Sequence, residues 1–233
     1  MRNSKKIWLT SLTLLMILLA GYFFFPYPVL PSDELDVVAR KLTSTNKNLS
    51  ITYPQIEGLP DQDIQNSLNQ PLLAEARSYA VKYVQPDYSG QVNYTITLNE
   101  NHILSLTLEE FFYAQRAAHP MTYLRGFTMS GQTGQIYKLD DLFKPDSHYR
   151  DRLNEIITRQ IEAKKIFLLR QYKGIASNQE FYLTRSELVI FYQLYEYAPY
   201  VYGILKFSIP YQDLQGLFRE PFASMFTVHG QRR

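Results

Sequence analysis

The chain is 233 residues long, enough for one sizeable domain and an appendage. Its 45% hydrophobic and 20% charged residues exclude wholesale disorder. A formal charge of +2 without a basic stripe gives no reason to expect a nucleic-acid partner. The absence of cysteine removes disulfides, thiol nucleophiles and thiolate metal sites together.

Met1 to Lys6 is a short basic leader, and Ile7 to Phe25 then runs without a charge. That length suits one helix crossing a bilayer. Basic residues precede it and Asp33, Glu34 and Asp36 follow, so the spacing predicts a cytoplasmic N-terminus, a membrane anchor at 7–25 and an extracytoplasmic remainder. A cleaved signal peptide is the rival. No small-x-small cleavage site follows the apolar run, and Tyr22 stands where a lipoprotein would carry its cysteine.

Residues 26–48 read as a linker stiffened by Pro26, Pro28 and Pro31, then a short helix capped by Ser32 and ending near Leu42. Residues 49–233 read as one α+β domain, with two main helices packed on an antiparallel or mixed sheet. A strand is expected around Leu49 to Tyr53. Ile64, Leu68, Leu72, Ala76, Ala80 and Val84 recur at helical spacing, with Pro71 predicting a kink or a break. Two alternating runs, Ser89 to Asn99 and His102 to Tyr113, predict a hairpin, with Leu104, Leu106 and Leu108 on one face. Tyr123 to Met129 and Ile136 to Leu139 flank a Gly131–Gly134 turn and predict another. A second helix is expected from about Ser147 to Tyr172, and Phe218 to Val228 is an apolar tail suited to a strand.

Between these, Glu187 to Tyr195 and Tyr202 to Pro210 read as two strands joined by an aromatic corner, Tyr195-Glu196-Tyr197-Ala198-Pro199-Tyr200. Pro199 denies a ladder hydrogen bond there, and Glu196 is a lone acid among tyrosines. Either it braces the corner, which is the preferred reading, or it faces a ligand. Tyrosines supply contact area and a hydroxyl tip, as protein or glycan surfaces require. The candidate binding residues are therefore Tyr195, Glu196, Tyr197, Tyr200 and, in the loop before Pro120, His119. No histidine pair has metal-ligand spacing, and Asp140-Asp141 reads as a turn before a helix, so no metal site and no cofactor are expected. No nucleophile elbow or phosphate loop is present either, so no catalytic residue is assigned.

The order of several motifs resembles a known family. Tyr53-Pro54-Gln55-Ile56, Ala118-His119-Pro120, Leu139-Asp140-Asp141-Leu142-Phe143, Phe181-Tyr182-Leu183-Thr184, the corner itself and Ile209-Pro210-Tyr211 are similar to the bacterial extracytoplasmic domain shared by RsiV-type lysozyme-sensing anti-sigma factors and by the non-catalytic region of some peptidoglycan deacetylases. The resemblance implies an exported α+β module that binds, with lysozyme or peptidoglycan as partner. The six residues before the apolar run are too few to hold a sigma factor, so the anti-sigma role is not expected to carry over. The alternatives are a cell-wall hydrolase using Glu196 and a structural subunit of an envelope complex.

Overall fold

The computed structural model describes residues 33–230, and the side chains of 33–226. The predicted membrane anchor at 7–25 and its linker lie outside the described residues. Within them, no helix is long and apolar enough to cross a membrane.

The segment expected as a short helix is instead strand β1 (Asp36–Leu42), antiparallel to β2 (Leu49–Glu57) in unbroken register from Asp36↔Glu57 to Leu42↔Ile51. The acids suggested a helix start, but Val37 and Val38 suit a pleated surface, and a seven-residue ladder outweighs one cap. β2 then touches β3 (Tyr88–Glu100) in parallel through Leu49 to Ile51 alone. Beyond that pairing Ile56 turns its N–H and C=O to the side-chain amide of Asn69, at 2.7 and 2.8 Å. Both backbone groups are satisfied without a strand.

Asn69 belongs to α1 (Gln62–Lys82), the crossover between the two parallel strands. Asp61 caps it, accepting from the N–H groups of Asp63 and Ile64. Leu68, Leu72, Ala76, Tyr79 and, just past the end, Tyr83 form its buried stripe, while Val84 is exposed. The helix runs through Pro71 as one element.

The predicted hairpin is β3 with β4 (Ile103–Ala114), turned at Asn101 and His102, whose φ values of 51° and 58° suit a tight two-residue turn. Leu104, Leu106 and Leu108 bury against the α1 side as expected. A register shift between Ile96 and Leu98 carries Leu98 to the opposite face, into the core around Ile103. β5 (Met121–Ser130) completes a sheet of order β1-β2-β3-β4-β5.

The second half departs further from expectation. Ile136 makes one bridge to Met129 and no strand, and a short 3-10 turn follows at Leu139–Leu142. Helix α2 (Tyr149–Ala163) is shorter than predicted, and Lys165, at φ 50°, takes the chain out of it. From there Ile166 and Leu168 are half-buried and Phe167 and Leu169 exposed, a period of two that reads equally well as helix in a short apolar run. The expected pair of strands is β7 (Glu187–Tyr192) and β8 (Leu205–Pro210), joined by β6 (Phe181–Leu183) into a separate three-stranded antiparallel sheet. The apolar tail is not a strand. It forms α3 (Phe222–Gly230), burying Phe222, Met225 and Phe226 at helical spacing.

The fold is thus α+β, with three helices and two sheets among the described residues, where two main helices on one sheet were expected from residue 49 onward. The sheets meet closely. A methyl at Gly126 of β5 would collide with the carbonyl oxygen of Phe181 in β6. Ser105, buried on β4, accepts the Leu183 N–H at 2.9 Å and shares a hydrogen bond with Thr128.

Candidate functional site

The connection between β7 and β8, residues 193–204, is irregular yet held at many points. The Glu196 carboxylate accepts the N–H of Gln193 at 2.9 Å, and the Glu196 N–H returns a bond to the Gln193 carbonyl at 3.1 Å. This reciprocal clasp closes the turn in which Tyr195 sits at φ 63°, an uncommon conformation for a side chain of that size. The Gln193 side chain then spans to β5, accepting from the N–H of Leu124 and donating to its carbonyl. Those groups belong to an edge strand and would otherwise be open. At the far end Tyr200–Tyr202 makes a 3-10 turn that ends at Gly203, whose φ of 66° suits glycine.

Three of the five candidate residues come together. His119 Nε2 lies 2.8 Å from the Tyr195 hydroxyl, and its ring stacks on Tyr200 with centroids 4.1 Å apart. Its Nδ1 is 3.0 Å from the Pro120 carbonyl. A neutral imidazole protonated on Nδ1 satisfies both contacts, donating to the carbonyl and accepting from the tyrosine. Tyr195 and Tyr200 keep part of their surface in water.

The other two point elsewhere. Glu196 is spent on the turn and does not line the neighbouring groove. Tyr197 packs edge-to-face on Tyr192 and Tyr172, with the Arg170 guanidinium 4.9 Å above its ring. The Tyr192 hydroxyl in that cluster donates to Tyr172, and burial raises its pKa far above the ordinary value, with Tyr172 adding to the effect. Tyr197 is part of the packing that supports the corner.

Beside the His119–Tyr195–Tyr200 stack runs an open groove of about 680 Å³. Leu194, Tyr200, Val201 and Ile204 give it apolar walls, Thr122 a hydroxyl, and Glu109 and Lys206 one charge of each sign. Glu109 and Lys206 also border a smaller recess of about 200 Å³ between the sheets, lined by Asn93, Thr95, Thr97 and Thr107. Sequence reasoning missed Thr122, Ile204, Glu109 and Lys206. The alternation of β4 could have placed Glu109 with Ser105 and Thr107 on one face, but nothing in it announced a second sheet over that face.

A carboxyl with a raised pKa, Glu110, lies on β4. Successive strand residues face opposite ways, so Glu110 lies on the α1 side of the sheet, away from the groove. Burial pushes its carboxyl up to about 7, helped by a hydrogen bond and the negative charge of Glu75, and opposed by Arg125 and Lys82. Arg125 bonds Glu75 on α1 and Glu180 before β6, at 3.0 and 3.1 Å. That network fastens elements together. Among the described residues no group of three or more acids and histidines is placed to hold a metal ion. What the corner and its groove offer is shape, aromatic faces, hydroxyls and one charge of each sign. That is the equipment of a contact surface.

Comparison with known proteins agrees with the resemblance seen in the sequence. The family model of DUF3298, a protein family of unknown function, matches residues 140–212, which include the whole corner. The anti-sigma-V factor RsiV of Bacillus subtilis is 24% identical over 179 residues, 70% of this chain and 62% of that protein. The chain therefore spans less than two thirds of that relative. Two solved structures of DUF3298 family proteins share the fold. One, from Bacteroides fragilis, has a TM-score of 0.60 at 15% identity and covers 84% of this chain and 99% of its own. The other, from Pseudomonas aeruginosa, has a TM-score of 0.56 at 16% identity and covers 84% and 96%.

Proposed function

We propose that this chain, whose residues 140–212 match a family of unknown function and which is similar to an anti-sigma factor, is a membrane-anchored extracytoplasmic binding module. It recognises a cell-wall-associated partner, a lysozyme first and peptidoglycan second, through the corner between β7 and β8. The observation that carries the reading is the pinned aromatic stack of His119, Tyr195 and Tyr200 beside an open groove. The Glu196 clasp and the Gln193 bridge hold that surface before any ligand arrives, so little ordering is left to be done on binding. Binding is preferred over hydrolysis because Glu196, the acid a hydrolase would need here, is tied to a backbone N–H in its own turn.

Calorimetric titration of the full chain with a lysozyme tests the first partner. Micromolar or tighter binding is expected, weakened about tenfold or more by Tyr200→Ala, since truncating a central aromatic contact costs about 1–2 kcal/mol or above. No heat at tens of micromolar would remove lysozyme, and the same titration with soluble peptidoglycan fragments then addresses the second.

A further inference from the structure

Past the end of α2 the chain turns at Lys164 and Lys165 and then runs irregularly to Lys173, with a bend at Leu169 and Arg170, beside the corner. The Phe167 N–H donates to the Tyr202 hydroxyl at 3.1 Å, and the Leu169 N–H to the Tyr197 carbonyl at 2.8 Å. Ile166 and Leu168 turn inward, with Ile166 packing on the core of the small sheet. Phe167 and Leu169 turn outward and stay 65% and 51% exposed, and Val201, next to Tyr202 in the chain, is 86% exposed. Aliphatic and aromatic side chains held this far into water at the tips of two neighbouring segments need a reason.

Their charged neighbours supply one. Lys164, Lys165, Arg170 and Lys173 are all exposed, and no acid occurs from Ala163 to Gln179. Arg170 lies over Tyr197 and Lys164 bonds Gln160, but among the described residues none of the four forms an ion pair. A folded protein partner would want a pocket for such anchors, or anchors to fill a pocket of its own with matched charges around it. Here the protruding apolar tips Phe167 and Leu169 are flanked by cations on both sides, Lys164 and Lys165 before them and Arg170 and Lys173 after. None of these is ion-paired among the described residues, though Lys164 also lies over the Phe207 ring. That suits a partner with anionic groups at its face and hydrocarbon just beneath.

We propose that residues 164–173, with Val201 and Tyr202, form a membrane-contacting surface. The four cations meet anionic lipid headgroups while Phe167 and Leu169 enter the interface. Tyr202 stands where an amphipathic ring is favoured, between wet and apolar layers. The surface holds the corner against the bilayer, and Val201, which borders the groove, lies where the two surfaces meet.

The chain has no cysteine, so Phe167→Cys and Val81→Cys each give one labelling site, the second on exposed α1 as a control. Each variant of the full chain, carrying an environment-sensitive fluorophore, is placed in nanodiscs of phosphatidylcholine alone or with added phosphatidylglycerol. The expected result is a blue shift at position 167, with quenching by lipid-borne nitroxide, in the anionic discs only. It should reverse in about 0.5 M salt, where screening is short-ranged. Position 81 should not respond. Lys164→Glu with Lys165→Glu should reduce docking roughly fivefold or more per charge. A label at 167 equally wet in both lipids overturns the proposal. So does one that dries only when a soluble protein is added, which would make the strip a protein interface.

Discussion

Around α1, the buried side chains keep regular time. Leu68, Leu72, Ala76 and Tyr79 lie on one helical stripe, and Leu104, Leu106 and Leu108 on one strand face beneath it. Where ladders end, side-chain amides take over the backbone groups, as Asn69 does for Ile56 and Asn99 for the N–H and C=O of Leu35. Around the corner between β7 and β8 the strands are short and the connections irregular, and rings pack on rings. There Glu196 and Gln193 hold a loop in place while Tyr195, Val201 and Tyr202 remain exposed. The first region spends its polar contacts on closing a scaffold, and the second on presenting a surface. Regular packing gives stability without sites, whereas a recognition surface needs unpaired area on a support that does not move.

Breaking the junction between the regions should have the largest effect. Gly126→Ala drives a methyl into the Phe181 carbonyl, backbone that cannot step aside without separating β6 from β5. The expected cost is on the order of 4 kcal/mol, read by urea denaturation, with loss of any groove binding as well. Within the scaffold alone, Leu106→Ala should cost about 3 kcal/mol, since the side chain is fully buried and its neighbours cannot all close the gap. The affinity of molecules that remain folded should be unchanged. A loss of affinity in that variant would blur the division.

Acid and base act on the scaffold through Glu110. Its folded-state carboxyl titrates at about 7, above the ordinary value near 4.5. Between those values the unfolded chain has ionised and the folded chain has not, so stability from this group falls as pH rises toward 7 and stays low beyond. The change should be roughly 2 kcal/mol between pH 5 and pH 8, spread over a Glu75–Arg125 network that shares the charge. Glu110→Gln should flatten that slope in thermal melts while leaving corner binding as it was. A melt equally pH-dependent in the variant would assign the slope to other groups.

Much of the scaffold was legible because its periods are local. The α1 stripe and the Leu104–Leu108 face need only neighbours three, four or two residues away. The strand at Asp36–Leu42 was hidden by acids that also open helices, and the end of α2 by an apolar run that fits either period. β7 and β8 were legible as strands, but not that they form a second sheet over β4, since Ser105 and Thr107 read as the wet face of β4 until a segment some eighty residues on covers them. The corner was visible as composition and not as geometry. That His119 meets Tyr195 across 76 residues, or that Tyr197 turns inward, depends on tertiary packing. So do the groove residues Thr122, Ile204 and Lys206, drawn from separate strands and loops.

At the corner itself, stability and binding should part company. His119→Ala with Tyr200→Ala is expected to shift folding by under about 1 kcal/mol, because both rings are partly in water, yet to weaken partner binding about tenfold or more.

The measurement that addresses the central claim most directly is hydrogen exchange on the full chain, free and saturated with whichever wall component the titrations identify. New protection is expected only at residues 193–206 and at the loop and strand start at 119–124, with α1 and the strands beneath it unchanged. Protection centred on α1 or on the β1–β2 edge, with the corner exchanging as before, would contradict it.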